Sequence, residues 1–226
     1  MCLSSKENSK AAKKHPSTFQ VSLSFVPHYF HPSSNSYKPL LKHSHYQQVT
    51  MEVGGNEFTE ITLRPLDLSD IDAFMVWATD DKVARFCRWD AYTSKADALD
   101  FIKNKVIPHP WFRAICLNGQ PIGTISVTRN IGNDECRGEL GYALGYKYWG
   151  KGIATKAVKL VANTIFSEWP HLERLEARVL VENVGSQRVL EKAGFQREGV
   201  LRKYMTLKGK TRDLTMFSLL SADPQS

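Results

Sequence analysis

Tyr148-Trp149-Gly150-Lys151-Gly152-Ile153-Ala154-Thr155 is the stretch on which the reading of this chain turns. Just before it, Glu139-Leu140-Gly141-Tyr142-Ala143-Leu144 reads as a strand. Just after it, Val158, Val161, Ala162 and Ile165 recur at helical spacing as far as Phe166. The octet is therefore a strand-to-helix turn. Its small residues let the backbone approach a ligand closely. The first amides of a helix lack intrahelical acceptors, and the helix dipole favours negative charge there. A phosphate or pyrophosphate suits such a turn, and Lys151 adds a positive charge. The plain alternative is a tight turn that holds nothing.

Two other phosphate sites are tested by spacing. The nucleotide loop G-x-x-x-x-G-K-[ST] fits Gly145 to Lys151 but needs a hydroxyl where Gly152 stands, so the magnesium ligand is missing. The dinucleotide pattern G-x-G-x-x-G fails at Thr155.

Moving outward, Thr59–Arg64 alternates as a strand, and Ser69 is placed to cap a helix whose first turn is acidic. A second helix opens at Ser94, with Asp97 completing a capping-box pattern, and stops before Pro108. Phe112–Leu117 and Ile122–Val127 flank Asn118-Gly119, the signature of a hairpin with a tight turn. A third strand is expected at 135–144. Beyond the central helix, Leu175–Val181 is β-rich. Val184–Ala193 reads as a short helix, capped by Asn183 and closed by Gly194. Two last strands are expected at Phe195–Tyr204 and Thr211–Leu220. Antiparallel neighbours among mixed elements indicate an α+β fold with a mixed, mostly antiparallel sheet, rather than a doubly wound one.

The formal net charge of +7 suggests a nucleic-acid or membrane partner until it is located. Residues 1–50 hold six lysines and the single acid Glu7; the remainder carries 24 basic and 22 acidic residues. The near-balanced remainder points to neither partner. Residues 1–50 are also Ser- and His-rich and read as a disordered tail, either a transit peptide or an upstream extension, with the ordered domain at 51–226. Met51 is an alternative start. Cytosol is the expected location, with plastid as the alternative. The four cysteines lack zinc spacing, so no metal is expected, and Cys116 reads as a small core residue.

At this point the motifs resemble those of the GNAT superfamily of acyl-CoA N-acyltransferases, whose cofactor signature is [QR]-x-x-G-x-[GA]. Trp149, Gly152 and Ala154 fill its first, fourth and sixth places. Trp149 departs from Gln or Arg, as in the RimJ/RimL-like branch, whose Tyr-Trp-Gly-Lys-Gly-x-Ala-Thr is similar to 148–155. A second motif runs through Asn183, Ser186, Leu190, Lys192, Gly194 and Phe195 to Glu198-Gly199. The resemblance covers roughly Thr59 to Leu220.

It implies a V-shaped central sheet with helices on both sides and acetyl-CoA as acyl donor. Tyr142, Ala143 and Leu144 would meet the pantetheine arm. Trp149, Gly150, Lys151, Gly152, Ile153, Ala154 and Thr155 would cradle the pyrophosphate, and Asn183 and Ser186 would lie near the thioester. Glu139 is the candidate base, and Ser186 or Tyr204 the candidate acid for the departing thiolate. Phe74, Trp77, Phe86, Trp89, Tyr92 and Trp111, with Arg85 and Arg88, are candidates for an acceptor pocket. The expected acceptor is a primary amine, a protein N-terminal α-amine first and a small-molecule amine second, and the enzyme is expected as monomer or homodimer. A non-catalytic acyl-CoA-binding regulatory domain and a nucleotide-binding protein stand as the other readings.

Overall fold

The computed structural model describes residues 47–53 and 57–224. The expected disordered tail thus lies outside the described residues except at 47–50, which belong to the first strand; the boundary expected at residue 50 falls inside that strand. In chain order the strands are β1 (Gln47–Val53), β2 (Glu57–Pro65), β3 (Phe112–Leu117), β4 (Gln120–Arg129), β5 (Arg137–Leu144), β6 (Arg174–Leu180), β7 (Gln196–Leu207) and β8 (Lys210–Leu220). The helices are α1 (Ile71–Ala78), α2 (Asp81–Ala84), α3 (Lys95–Phe101), α4 (Ile153–Glu168) and α5 (Val184–Lys192).

The strands form one sheet in the order β1-β2-β3-β4-β5-β6-β8-β7. Neighbours are antiparallel except β5 and β6, which run parallel. The hairpin between β3 and β4 turns on Asn118 and Gly119, with φ of 48° and 78°, the left-handed pair that an Asn-Gly turn supplies. Ser94 caps α3 as expected, accepting from the amides of Ala96 and Asp97, and the helix continues as a wider turn over Ile102–Val106. The first cap differs from expectation. Asp67, not Ser69, accepts from the chain and forms a capping box with Asp70, opening a short 3-10 turn before α1. Ser69 instead donates its hydroxyl to Asp67. A carboxylate two residues earlier outcompetes the hydroxyl because charged acceptors bond more strongly.

The pleat assigns the two faces. On β3, Phe112, Ala114 and Cys116 pack with Phe74, Trp77, Ala98 and Phe101 of α1 and α3. Ile115 points the other way, into the cluster with Val158, Val161 and Ile165 of α4 and Leu190 of α5. Helices therefore cover both faces, each burying one apolar stripe.

β5 and β6 pair at only three positions, Arg137 with Arg174, Gly138 with Leu175 and Glu139 with Glu176. Beyond Glu139 the two strands part, and the V of the sheet opens there. No described helix is long and apolar enough to cross a membrane.

Candidate active site

A cleft of about 740 Å³ fills the V. Its walls include Glu139–Leu144 of β5, Ala177–Leu180 of β6, the turn around Gly150 and Gly152, and the start of α5. Strand alternation places Glu139, Gly141 and Ala143 on the α1–α3 face, while Leu140, Tyr142 and Leu144 face α4. The gap between β5 and β6 thus joins the two faces of the sheet.

On the α4 side the turn has the form expected of an anion cradle. Gly150 and Gly152 have φ of 74° and 76°, and a Cβ on either would meet nothing within 4 Å. The space beside the turn is open. Gly152 is the N-cap of the 16-residue α4 and offers no side chain to its first amides. Those donors therefore point to whatever occupies the cleft. The site fits the pyrophosphate of a CoA thioester. Gly150, Gly152, Ile153, Ala154 and Thr155 line the cleft; Lys151 is exposed and off the wall, its ammonium 5.9 Å from the Tyr148 ring.

Trp149 explains how an indole stands where the family signature has Gln or Arg. Its Nε1–H donates to the carbonyl of Leu144 at 2.6 Å, tying the cofactor turn to the end of β5. Its ring meets Tyr146 edge-on at 5.3 Å and lies 6.2 Å from that of Phe86.

Asn183 caps α5, its Oδ1 accepting from the amide of Ser186 at 3.1 Å, and it also lines the cleft. Ser186 Oγ lies 2.6 Å from the Tyr142 hydroxyl, which also donates to the Ser186 carbonyl at 3.1 Å. Burial pushes the Tyr142 phenol above its ordinary range, opposed by the bond to Ser186. Tyr142 was expected only for its backbone; its side chain bridges β5 to α5, a contact between residues 44 positions apart that no local pattern encodes.

On the α1–α3 side Glu139 is buried, at 5% exposure. Arg178 grips its carboxylate with both Nε, at 3.2 Å, and Nη2. Arg178 Nη1 donates to the Tyr204 hydroxyl at 2.8 Å. Burial draws the Arg178 pKa down, but the charge and hydrogen bonds of Glu139 and Tyr204 leave it raised overall. Tyr204 is half exposed and stands behind Arg178, not on the cleft wall. A bulge aims it there. Between Leu201 and Met205, β7 spends four steps against two on β8, with Lys203 at φ 49° and its amide bonded to Asp213.

Of the expected pocket aromatics, Phe74, Trp77, Phe86 and Trp89 line the cleft. Tyr92 and Trp111 do not: Tyr92 packs against Phe74 and Phe101, and Trp111 donates to Glu168 at 2.7 Å. Arg88 is on the wall; Arg85 is exposed and stacks over Phe86. Thr124 and Ser126 of β4 also line the cleft and carried no sequence signal, because polar residues alternating with Ile125 and Val127 look like the ordinary solvent face of a strand.

Residues 60–196 match the family model described as "Acetyltransferase (GNAT) domain". The chain is 33% identical over 180 residues to an uncharacterized N-acetyltransferase, p20, of Bacillus licheniformis, covering 74% of this chain and 96% of that one. It is 31% identical over 84 residues to the [ribosomal protein uS5]-alanine N-acetyltransferase of Escherichia coli, covering 37% of this chain and 43% of that one. The microcin C7 self-immunity acetyltransferase MccE, solved with acetyl-CoA and AMP, superposes with a TM-score of 0.63 at 24% identity, over 71% of this chain and 92% of that one. With an open V, a glycine-lined helix start and these matches together, the chain belongs to the acetyltransferase (GNAT) family and is an N-acetyltransferase of that type.

Proposed function

We propose that this enzyme transfers acetyl from acetyl-CoA to a primary amine, with a protein N-terminal α-amine as the preferred acceptor. The observation that carries the reading is the single cleft running through the gap between β5 and β6, with an anion cradle on one side and buried Glu139 on the other. Bound acetyl-CoA supplies an acetyl group activated as a thioester. The first amides of α4 hold the pyrophosphate, and the end of β5 at Tyr142–Leu144 guides the arm. A backbone amide near Leu144 steadies negative charge developing on the acetyl oxygen. Glu139 accepts the proton of the attacking amine, directly or through a water. Two bonds from Arg178 fix the plane of that carboxylate, and each carboxylate oxygen has two lone pairs. Ser186 donates a proton to the leaving sulfur and is reprotonated by solvent as CoA departs, while the Tyr142 hydroxyl orients it. Tyr204 is assigned to holding Arg178 rather than to the sulfur.

The preference for a peptide α-amine rests on similarity to the enzyme that acetylates a ribosomal-protein alanine, over 84 residues only. The test is transfer from labelled acetyl-CoA to two pools, N-terminal peptides and small amines. Labelled peptides are the expected result. Labelling of small amines alone makes the enzyme metabolic. Tight acetyl-CoA binding without transfer to either pool favours the regulatory reading.

A further inference from the structure

Arg88 lies in the segment after α2, on the α1–α3 wall of the cleft beside Phe86, Cys87 and Trp89. It is half-buried. The charged and polar groups that act on it are Glu139, Arg178 and Tyr204. Glu139 is engaged by Arg178 through two bonds, so two guanidinium groups face one carboxylate. Among the described residues Arg88 itself forms no ion pair. The other basic residues on the cleft wall, Arg188 and Lys192, are exposed on α5, on the cofactor side. Glu182, the other acid on the cleft wall, is paired with Arg212 at 3.2 Å, so around Arg88 two guanidinium groups share the one carboxylate of Glu139, and the Arg88 charge is partly removed from water. Burial draws the Arg88 pKa below its ordinary value; Glu139 opposes the shift and Arg178 adds to it.

The backbone on both sides of Arg88 is tied down. The Cys87 amide donates to the Ala84 carbonyl at 2.9 Å. Lys208, from the turn between β7 and β8, donates to the Trp89 carbonyl at 3.2 Å and pairs with Asp90 at 3.0 Å. A cation that is half desolvated and short of a counter-charge is costly on its own, and an anion from outside completes it. The planar fork of arginine suits a carboxylate or phosphate, which it can grip with two bonds.

We propose that Arg88 binds an oxyanion carried by the acceptor, so that the substrate class is an amine bearing a carboxylate or phosphate in the same molecule. This rests on the acetyl-transfer reading above. The anion offsets the repulsion an ammonium would otherwise meet beside Arg88 and Arg178, and so draws the acceptor into the cleft. Phe74, Trp77, Phe86 and Trp89 supply apolar walls for the rest of the molecule.

The test uses the full chain and release of CoA thiol from acetyl-CoA, with matched acceptor pairs. One arm holds short peptides with an N-terminal alanine followed by Asp or by Asn. The other holds free amino acids and their carboxamides. The anionic member of a pair is expected to be preferred roughly 10- to 100-fold in kcat/KM, the range of one charge-assisted contact. Arg88→Gln removes that preference by lowering the anionic member alone, and Arg88→Lys keeps part of it. The arm that shows the preference tells whether the oxyanion belongs to a peptide side chain or to a small amino acid. Equal use of both members by the native enzyme, or an equal loss for both in Arg88→Gln, overturns the inference and leaves acetyl transfer standing. No transfer to any acceptor, with acetyl-CoA bound, overturns both. If Arg88→Gln does not fold, the native pairs and Arg88→Lys decide.

Discussion

Arg178 clasps Glu139 across the point where β5 and β6 separate: Glu139 is the last β5 residue paired to β6, and Arg178 stands two residues past its partner Glu176 on the same face. Both side chains are nearly buried, at 5% and 10% exposure. The pair therefore joins the strands just where backbone pairing ceases, and it presents a carboxylate to the cleft on the α1–α3 side of the sheet.

Stability and chemistry separate at this pair. Glu139→Gln leaves Arg178 buried without its counter-charge, at a cost of about 3 kcal/mol. Its kcat should fall roughly 100-fold or more, the usual size of a lost proton acceptor. The double variant Glu139→Gln with Arg178→Gln should recover most of the lost denaturation midpoint and none of the activity. CoA affinity, measured by calorimetry, should hold in both. Native turnover in the double variant would remove Glu139 from the chemistry.

A second ion pair predicts acid sensitivity away from the cleft. Arg174 grips Glu198 with bonds of 2.7 and 2.6 Å, and Ser218 donates to the same carboxylate at 2.7 Å. Arg174 first, then Ser218, lowers the Glu198 pKa to about 2. A depressed folded-state value means the contribution is complete above the ordinary value near 4.5 and is lost as pH falls toward 2. Glu198 is 42% exposed, so solvent limits the effect to about 1 kcal/mol at most. Urea midpoints measured between pH 5 and 2.5 should fall more steeply for the native chain than for Glu198→Gln.

Local signals were legible in the sequence where chemistry is local. The Asn118-Gly119 turn, the Ser94 and Asn183 caps and the glycine turn before α4 each depend on a few adjacent residues, and each stands where the pattern puts it. What stayed hidden depends on distance along the chain. Arg178 reads as an ordinary charged residue in a strand until β6 is laid beside β5, 39 residues away. Tyr204 reads as a sheet-edge tyrosine until the β7 bulge turns it onto Arg178. Tyr92 and Trp111 look like pocket aromatics because aromatic spacing does not distinguish a wall from a core.

The indole of Trp149 replaces a family side chain with a tie of its own, and its loss should be felt mainly by the cofactor. Trp149→Phe keeps the contacts with Tyr146 and Phe86 but loses the 2.6 Å bond to Leu144. A lost bond of this kind costs about 1 kcal/mol. The KM for acetyl-CoA should rise roughly 5-fold, with any fall in kcat smaller, because the tie holds the carbonyl of Leu144 and reaches the amide assigned to the oxyanion only indirectly. Trp149→Gln restores a donor of the family type and should recover part of that loss. A change confined to kcat would instead place the indole in the chemistry.

Tyr142 and Ser186 form a two-hydroxyl chain, and substitution tests the proposal that Ser186 delivers the proton to sulfur. If Ser186 is the donor, Ser186→Ala should lower kcat roughly 10- to 100-fold. Tyr142→Phe should then cost less, since Ser186 keeps its own hydroxyl and loses only the partner that orients it. Burial holds the Tyr142 phenol above its ordinary value. It therefore stays protonated, and able to donate, throughout an assay range of about pH 6 to 9. The loss in Tyr142→Phe should accordingly be the same at both ends of that range. A loss in Tyr142→Phe greater than in Ser186→Ala reverses the assignment and makes the tyrosine the acid, with the serine as its contact to the cleft. A loss that fades at high pH would mean the tyrosine ionises there after all, in conflict with the buried geometry in which Ser186 stands 2.6 Å away.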